Sequence, residues 1–447
     1  MRCMIGMAKQ DLEAALRPLP VSVSEERVCA VALYTVSKEV RAVWIELDFM
    51  DFNFKVVSTL QRYVAEATGI DIYHVHILTT HNHSGGEPDL QTLANLVASC
   101  AQEAVKSAKP AQIRKALTAI PRQVSFIRRI YVPEIDGATS MFYGVSDRDG
   151  FDSSPHTEHV IQSLREGKLT YRDLAETDRP YTPYTPGDPV VAAIEFRGED
   201  GTCIGTVVRF ASHVNCNNYG SILASDFPHY LRQKMEATVG GTAMFITGPC
   251  GNICPSMTKK NDGSAAMIGG LLADTAMEVL SKTEFVTLEM VEDRSVPISL
   301  PVRQEVRTRC VEIPEAMPED LPNRRRYLEK VDTRNSMDFL WEKYQEGEAE
   351  RKDTVDITIG MLKLNDLLLV GFPGETFYET GEAVRKAFPE TEIVTATEHD
   401  RTVMYLPPYD QLPQGGYETV CRVTAEGAAE KLERETIAAI KRFIEKT

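Results

Sequence analysis

The sequence predicts an α/β fold with a large mixed β-sheet core flanked by helices. Three observations predict it. Short β-branched runs alternate with stretches of helical period along most of the 447 residues. The chain is long enough to bury a large core. Residues able to do chemistry fall at the carboxyl ends of apolar runs, where open α/β sheets place their sites.

Taken in order, "VCAVALYTV" (28–36) and "RAVWIELDF" (41–49) read as neighbouring strands joined by a polar turn. "FKVVSTLQRYVAEATG" follows as an amphipathic helix, then the apolar strand "YHVHILTT", which runs into "HNHSGG". "DLQTLANLVASCAQEAVKSA" is a long helix, and "SFIRRIYV" is strand-like. Residues 149–189 are rich in Pro, Ser, Thr and Tyr and read as an irregular surface excursion.

Strands resume at "VVAAIEF" and "CIGTVVRFASH", the second ending at His213. A helix capped by Ser225 or Asp226 comes next. "TAMFITG" is a strand ending in "PCGNICPS", followed by a helix rich in small residues. Residues 303–352 are strongly charged and read as a mostly helical insert, whose default role is a plain surface excursion. "VDITIGMLKLNDLLLVGFPGE" gives two strands ending at Glu375, and a helix over 424–446 closes the chain. No internal repeat is visible in the sequence, and the whole is read as one catalytic domain.

The net charge of -16 argues against a nucleic-acid partner, and the one dense basic run, 323–326, reads as a solvated helix start. No apolar stretch spans a bilayer, and the first residues lack a signal-peptide pattern. Nine scattered cysteines without a CxxC pair argue against a disulfide framework. Together these predict a cytoplasmic protein whose partner is a small-molecule substrate; homo-oligomerisation is left open.

Four strand ends carry a potential ligand or nucleophile: "THNHSGG", "ASHVNCNN", "GPCGNICPS" and "GFPGETF". A fifth stretch, "MYLPPYDQLPQGGYE", holds three tyrosines among turn residues. A lone histidine there is more often a satisfied structural group, and a lone Glu after Pro-Gly a helix-dipole charge. As a set, two or three histidines and a carboxylate at successive strand ends suit a zinc ion with an open position. Such an ion acidifies water and polarises a carbonyl, which is the basis of amide hydrolysis.

These segments resemble the neutral, non-lysosomal ceramidases. "THNHSGG" is similar to their THTHSGP segment, "RFASH" to the segment bearing their next zinc histidine, and "GPCGNICPS" to their G-D-x-S-P stretch. "GFPGETF" is similar to P-x-E-F, the tyrosine loop ends in Y-E as theirs does, and "MIGMAKQDL" looks like their first strand. The order is the same over nearly the whole chain.

The resemblance implies zinc bound by His81, His213, Glu375 and Tyr405, with His83 facing the substrate and Tyr417 donating to the tetrahedral intermediate. The family's arginine is matched to Arg148. Asn82 stands where the family has Thr, and Cys254 where it has a serine. A thiol there is open to packing, metal contact or nucleophilic attack, in that order. The immunoglobulin-like carboxyl domain of the ceramidases is not expected here. The implied activity is cleavage of a carbon–nitrogen bond in a small or polar intracellular substrate rather than ceramide. The alternatives are a zinc-dependent esterase or lyase on a polyol or sugar derivative, and a metal-binding homologue without turnover.

Overall fold

Three stretches of the chain repeat one order of elements: three antiparallel strands, a helix, a strand parallel to the third, and a closing helix. They are seen in a computed structural model whose described residues are 2–17, 22–23, 25–142, 144, 154–168, 185–217, 222–344 and 352–445. In the first unit the strands are Met4–Asp11, Cys29–Val36, Arg41–Leu47 and Val75–Thr79, with helices Phe54–Thr68 and Leu90–Ser107. The second has strands Lys109–Ala119, Val190–Gly198, Cys203–Phe210 and Thr242–Thr247, with helices Phe227–Thr238 and Ser264–Leu280. The third has strands Val291–Pro301, Thr354–Leu364, Leu367–Gly371 and Glu392–Ala396, with helices Tyr378–Lys386 and Ala428–Ile444.

The first two units join edge to edge, because Met4–Asp11 pairs antiparallel with Lys109–Ala119, and with the short strand Val286–Thr287, which also pairs with Lys109–Ala119, they make one nine-stranded mixed sheet. The third forms its own four-stranded sheet. Side chains alternate between the faces of each strand. On one face of the large sheet Leu33, Trp44, Phe196 and Met244 meet Leu362, Leu369 and Val394 of the smaller sheet in a shared core. On the other face Ala32, Val43 and Ile45 pack under the first pair of helices, and Val208 and Phe245 under the second. The last helix covers the outer side of the small sheet through Leu432, Ile440 and Phe443. Four layers result, helix–sheet–sheet–helix, and strands buried on both faces read as continuous apolar runs.

Local signals fix the helix ends. Asn53 and Asp89 accept the amides of Val56 and Thr92, and Gly69 closes the first helix in the left-handed region at φ 65. Of the two residues suggested as cap for the helix after His213, Asp226 takes the role, at φ 60.

Four sequence expectations change. The repeat escapes the sequence because it is an order of elements; no motif recurs with it. Lys109–Ala119 is a central strand that its polar composition hid, since three of its eleven residues are buried. "SFIRRIYV" is two strands, Ser125–Ile127 and Arg129–Val132, with different partners, Ile253–Pro255 and Gly137–Ser140. The run at 323–326 is not simply solvated: Arg325 is buried and donates to the carbonyls of Ile135, Asp136 and Gln414. Residues 303–352 sit between the first two strands of the third unit and contain helices Gln304–Thr308, Leu321–Asn335 and Met337–Tyr344.

The excursion at 149–189 holds a helix, Ser154–Arg165, that seats His156 in a small core near Val160 and Leu164. Burial and the neighbouring His159 push the His156 pKa down to about 4. The unfolded chain takes up this proton near pH 6.5 and the folded chain does not, so folding stability is full above that value and declines as pH falls toward 4. The loss is expected to reach roughly 3 kcal/mol. Denaturant melts of the wild type and His156→Leu across pH 4 to 7 should show the difference between the two proteins shrinking as pH rises.

Candidate active site

Turns after the parallel strands of all three units meet at one point. Their backbones are tied in a ring: Thr247 Oγ1 donates to the Thr80 carbonyl at 2.8 Å, the Thr397 amide to the Thr247 carbonyl at 2.8 Å, and the Thr79 amide to the Glu398 carbonyl at 3.2 Å. His81 and Glu398 stand at matching places, two residues beyond their strands, and both have positive φ, 61 and 52. Non-glycine residues held there are uncommon and cluster at functional sites.

His81 follows the fourth strand of the first unit, while His213 and Glu375 follow third strands of the second and third units. Glu375 Oε2 lies 3.3 Å from His81 Nε2 and 3.1 Å from His213 Nε2. Glu375–Thr376 pairs in parallel with Tyr405–Leu406, which sets Tyr405 in register beside Glu375. His83 joins the group, its ring centroid 5.0 Å from that of His81 and 5.7 Å from that of His213. His81, His213, Glu375 and Tyr405 are all buried.

The tautomers can be read from the partners. His81 Nδ1 is 3.0 Å from the Met50 carbonyl and His213 Nδ1 is 2.8 Å from the Ile253 carbonyl, so both Nδ1 atoms carry hydrogen. Both Nε2 atoms therefore present lone pairs toward a carboxylate oxygen. Three acceptors converging in a buried space repel unless a cation joins them. His81 Nε2 and Glu375 Oε2 have no hydrogen-bond partner. In the metal-free protein a proton fills the need: burial lowers the His81 pKa, but Glu375 and Glu398 outweigh it and hold the group at about 9. Burial opposes ionisation of Glu375, yet His81 and His213 keep it well below the carboxylate range.

The donor set fits a metal equally well. Separations of 3.1 and 3.3 Å match the roughly 3.3 Å edge of a tetrahedron with 2.0–2.1 Å bonds. The carbonyls of Met50 and Ile253 are the partners that usually orient ligating histidines, and Glu398 Oε1 stands 3.5 Å from His81 Nδ1. Seating an ion requires one adjustment, since Arg128 Nη1 now lies 3.0 Å from His213 Nε2 and has to release it.

Arg128 belongs to this cluster and was missed by sequence reasoning; Arg148, the residue matched to the family's arginine, lies outside the described residues. The break between two short strands turns Arg128 inward, where Nη2 donates to the Tyr405 hydroxyl at 2.9 Å and Nε to Glu418 at 2.7 Å. Glu418, also missed, is buried between Arg128, Arg129 Nη1 at 2.8 Å and the Ser140 hydroxyl. The available signal was the tandem Arg128-Arg129 inside an apolar run, two charges that need a buried counter-ion, although nothing in the run names Glu418 as that partner. Tyr417 lies with its ring 5.4 Å from Tyr405. Burial raises the pKa of both phenols, so Tyr417 keeps its proton. Burial and the adjacent His81 push His83 well below the ordinary histidine range, so it is a neutral base.

Cys254 pairs with Phe126, packs on Phe126 and Met141, and has its sulfur 3.6 Å from Arg128 Nη1. That environment is a packed wall. Cys254→Ser is expected to keep turnover within a few-fold while costing about 1–3 kcal/mol for the buried hydroxyl. A loss of turnover beyond 100-fold at unchanged melting temperature would instead mark the sulfur as a reacting group.

A cavity of about 590 Å³ opens beside His83, with Phe49, Met50, Phe52 and Leu223 on its apolar side. Lys343, from the helix Met337–Tyr344 in the charged insert, forms part of the wall and pairs with Asp51. That helix therefore borders the site, which the default reading of the insert as a surface excursion did not anticipate.

No protein-family model and no curated protein matches the sequence. Among solved structures, the neutral ceramidase from Pseudomonas aeruginosa superposes with a TM-score of 0.65 at 15% identity, covering 98% of this chain and 74% of that one. A ceramidase complexed with C2 gives 0.66 at 15% identity, covering 99% and 76%. Among the described residues no helix is long and apolar enough to cross a membrane. The chain has the mixed α/β fold of the neutral ceramidases.

Proposed function

We propose that this protein is a zinc-dependent hydrolase of an amide bond in a small molecule with an apolar part. The observation that carries the reading is the convergence of His81 Nε2, His213 Nε2 and Glu375 Oε2 at separations that suit one bound ion. Tyr405 would complete the set. Zinc bound there would supply acidified water and a polarised carbonyl.

The chain's own groups account for the rest. His83, at the edge of the cavity and beside His81, would orient the attacking water. Tyr417 donates its hydroxyl hydrogen to the developing oxyanion. Arg128 keeps its charge, because Tyr405 and Glu418 beside it outweigh burial, and it stabilises negative charge from the side of Tyr405. Phe49, Met50, Phe52 and Leu223 receive the apolar part of the substrate, and a cavity of 590 Å³ is the size that takes a small molecule.

The family likeness of the fold supports hydrolysis of this class, and the test is direct. Chelation of the purified protein is expected to abolish turnover across a panel of N-acyl compounds, and zinc to restore it. Full activity after chelation, or turnover of esters or glycosides with no amide cleaved, would overturn the reading.

A further inference from the structure

We propose that His76, His399 and Asp400 form a second, structural site for a zinc-like divalent ion, buried between the two sheets. His76 lies on the strand Val75–Thr79 and His399 in the turn after Glu392–Ala396; both rings are fully buried. Asp293 Oδ1 accepts from His76 Nε2 at 3.0 Å, so that nitrogen carries hydrogen. The Thr358 carbonyl lies 3.2 Å from His399 Nδ1 and fixes that tautomer in the same way. What remains is His76 Nδ1 facing His399 Nε2 at 2.9 Å in a dry interior, a contact that takes either one shared proton or a metal ion between the two nitrogens.

Glycine backbone packs directly against both rings. A Cβ at Gly360 would stand 2.4 Å from His399 Nε2 and 2.9 Å from His76 Nδ1, and one at Gly371 2.6 Å from the His399 ring. Any larger residue there would displace the rings, so the glycines let the two nitrogens face each other; bonds of about 2.0–2.1 Å to one ion would widen their 2.9 Å spacing to about 3.3 Å. Asp400 completes a set of ligand atoms lying within 4.8 Å of one another. Its Oδ1 is taken by the Ile77 amide at 3.0 Å and Gln61 at 3.2 Å, and Oδ2, which lies 3.7 Å from His399 Nδ1, is the oxygen that would turn to bind.

The surroundings suit an ion in charge and in orientation. A divalent cation would balance Asp293 and Asp400, leaving a buried cluster with no net charge. Asp293 is itself held by Trp44 Nε1 at 2.9 Å and His74 Nδ1 at 2.7 Å, so a carboxylate orients the ligating histidine from behind. Two imidazoles and a carboxylate are a donor set for zinc rather than for magnesium or calcium. The site would also brace the first one. Asp400 donates its amide to the Ile77 carbonyl, and Glu398, in the same turn, reaches His81.

The test uses the full chain, stripped with chelator, reloaded with zinc alone, freed of excess and assayed for metal content with X-ray absorption at the zinc edge. Wild type is expected to hold about two ions per chain, and His81→Ala about one, still with two-imidazole coordination. His399→Gln and Asp400→Asn should each lose that ion; the second keeps the Oδ1 acceptor and hence the fold of the turn. Fewer than two ions in the wild type, as when a shared proton alone joins His76 and His399, overturns the proposal. So does a second ion indifferent to both variants.

Discussion

Glu375→Gln is expected to reduce zinc affinity by more than the 10–100-fold that loss of an outer partner costs, and to remove nearly all turnover. Glu375 is within reach of both histidine nitrogens, at 3.3 and 3.1 Å, and the amide replaces an anionic oxygen by a neutral dipole. The metal-free protein should lose stability, by less than the roughly 3–5 kcal/mol of a fully broken buried pair, because Glu398 still faces His81. Competition with a chromophoric chelator measures the affinity, and thermal melts of the stripped protein check the fold. A variant that binds zinc at wild-type strength would dismiss Glu375 as a ligand.

The second large effect concerns Arg128. Arg128→Met should lower kcat by about 10²–10³, the range for losing one preorganised charge donor. Removing one member of a buried pair ordinarily costs 3–5 kcal/mol. Here Arg129 and Ser140 still hold Glu418, so the expected loss is nearer 1–3 kcal/mol. Arg128→Lys separates the two roles: it returns positive charge but cannot reach Glu418, His213 and Tyr405 with one planar fork. Melting temperature should recover in the lysine variant while kcat stays low. Recovery of both would mean that charge alone matters.

The fold class and most strand ends were legible because each is a local pattern: an apolar run, a turn, a residue with chemistry. His81, His213, Glu375 and Tyr405 sit at such ends and come together in space. Arg128, Glu418 and Glu398 were not legible, since their roles depend on partners far along the chain. Arg128 also sits at a strand break that propensity does not announce. The polar strand Lys109–Ala119 was missed for a related reason, as its neighbours rather than its own composition make it a strand. The cavity wall contributed by Lys343 could not be inferred from an insert that reads as charged surface.

The three-unit arrangement also sets an order of events in folding. Within each unit the third strand, helix and fourth strand are close in sequence and can assemble early. His81, His213 and Glu375 belong to different units, so they meet only when the small sheet docks on the large one. Loop-closure entropy makes that docking a late step. Trp44 is buried in the face that docking closes, and its fluorescence is a clock for the event. In a refolding chain, zinc uptake should keep time with Trp44 and lag the recovery of helical circular dichroism, because the ion is captured by tertiary assembly and by no single segment.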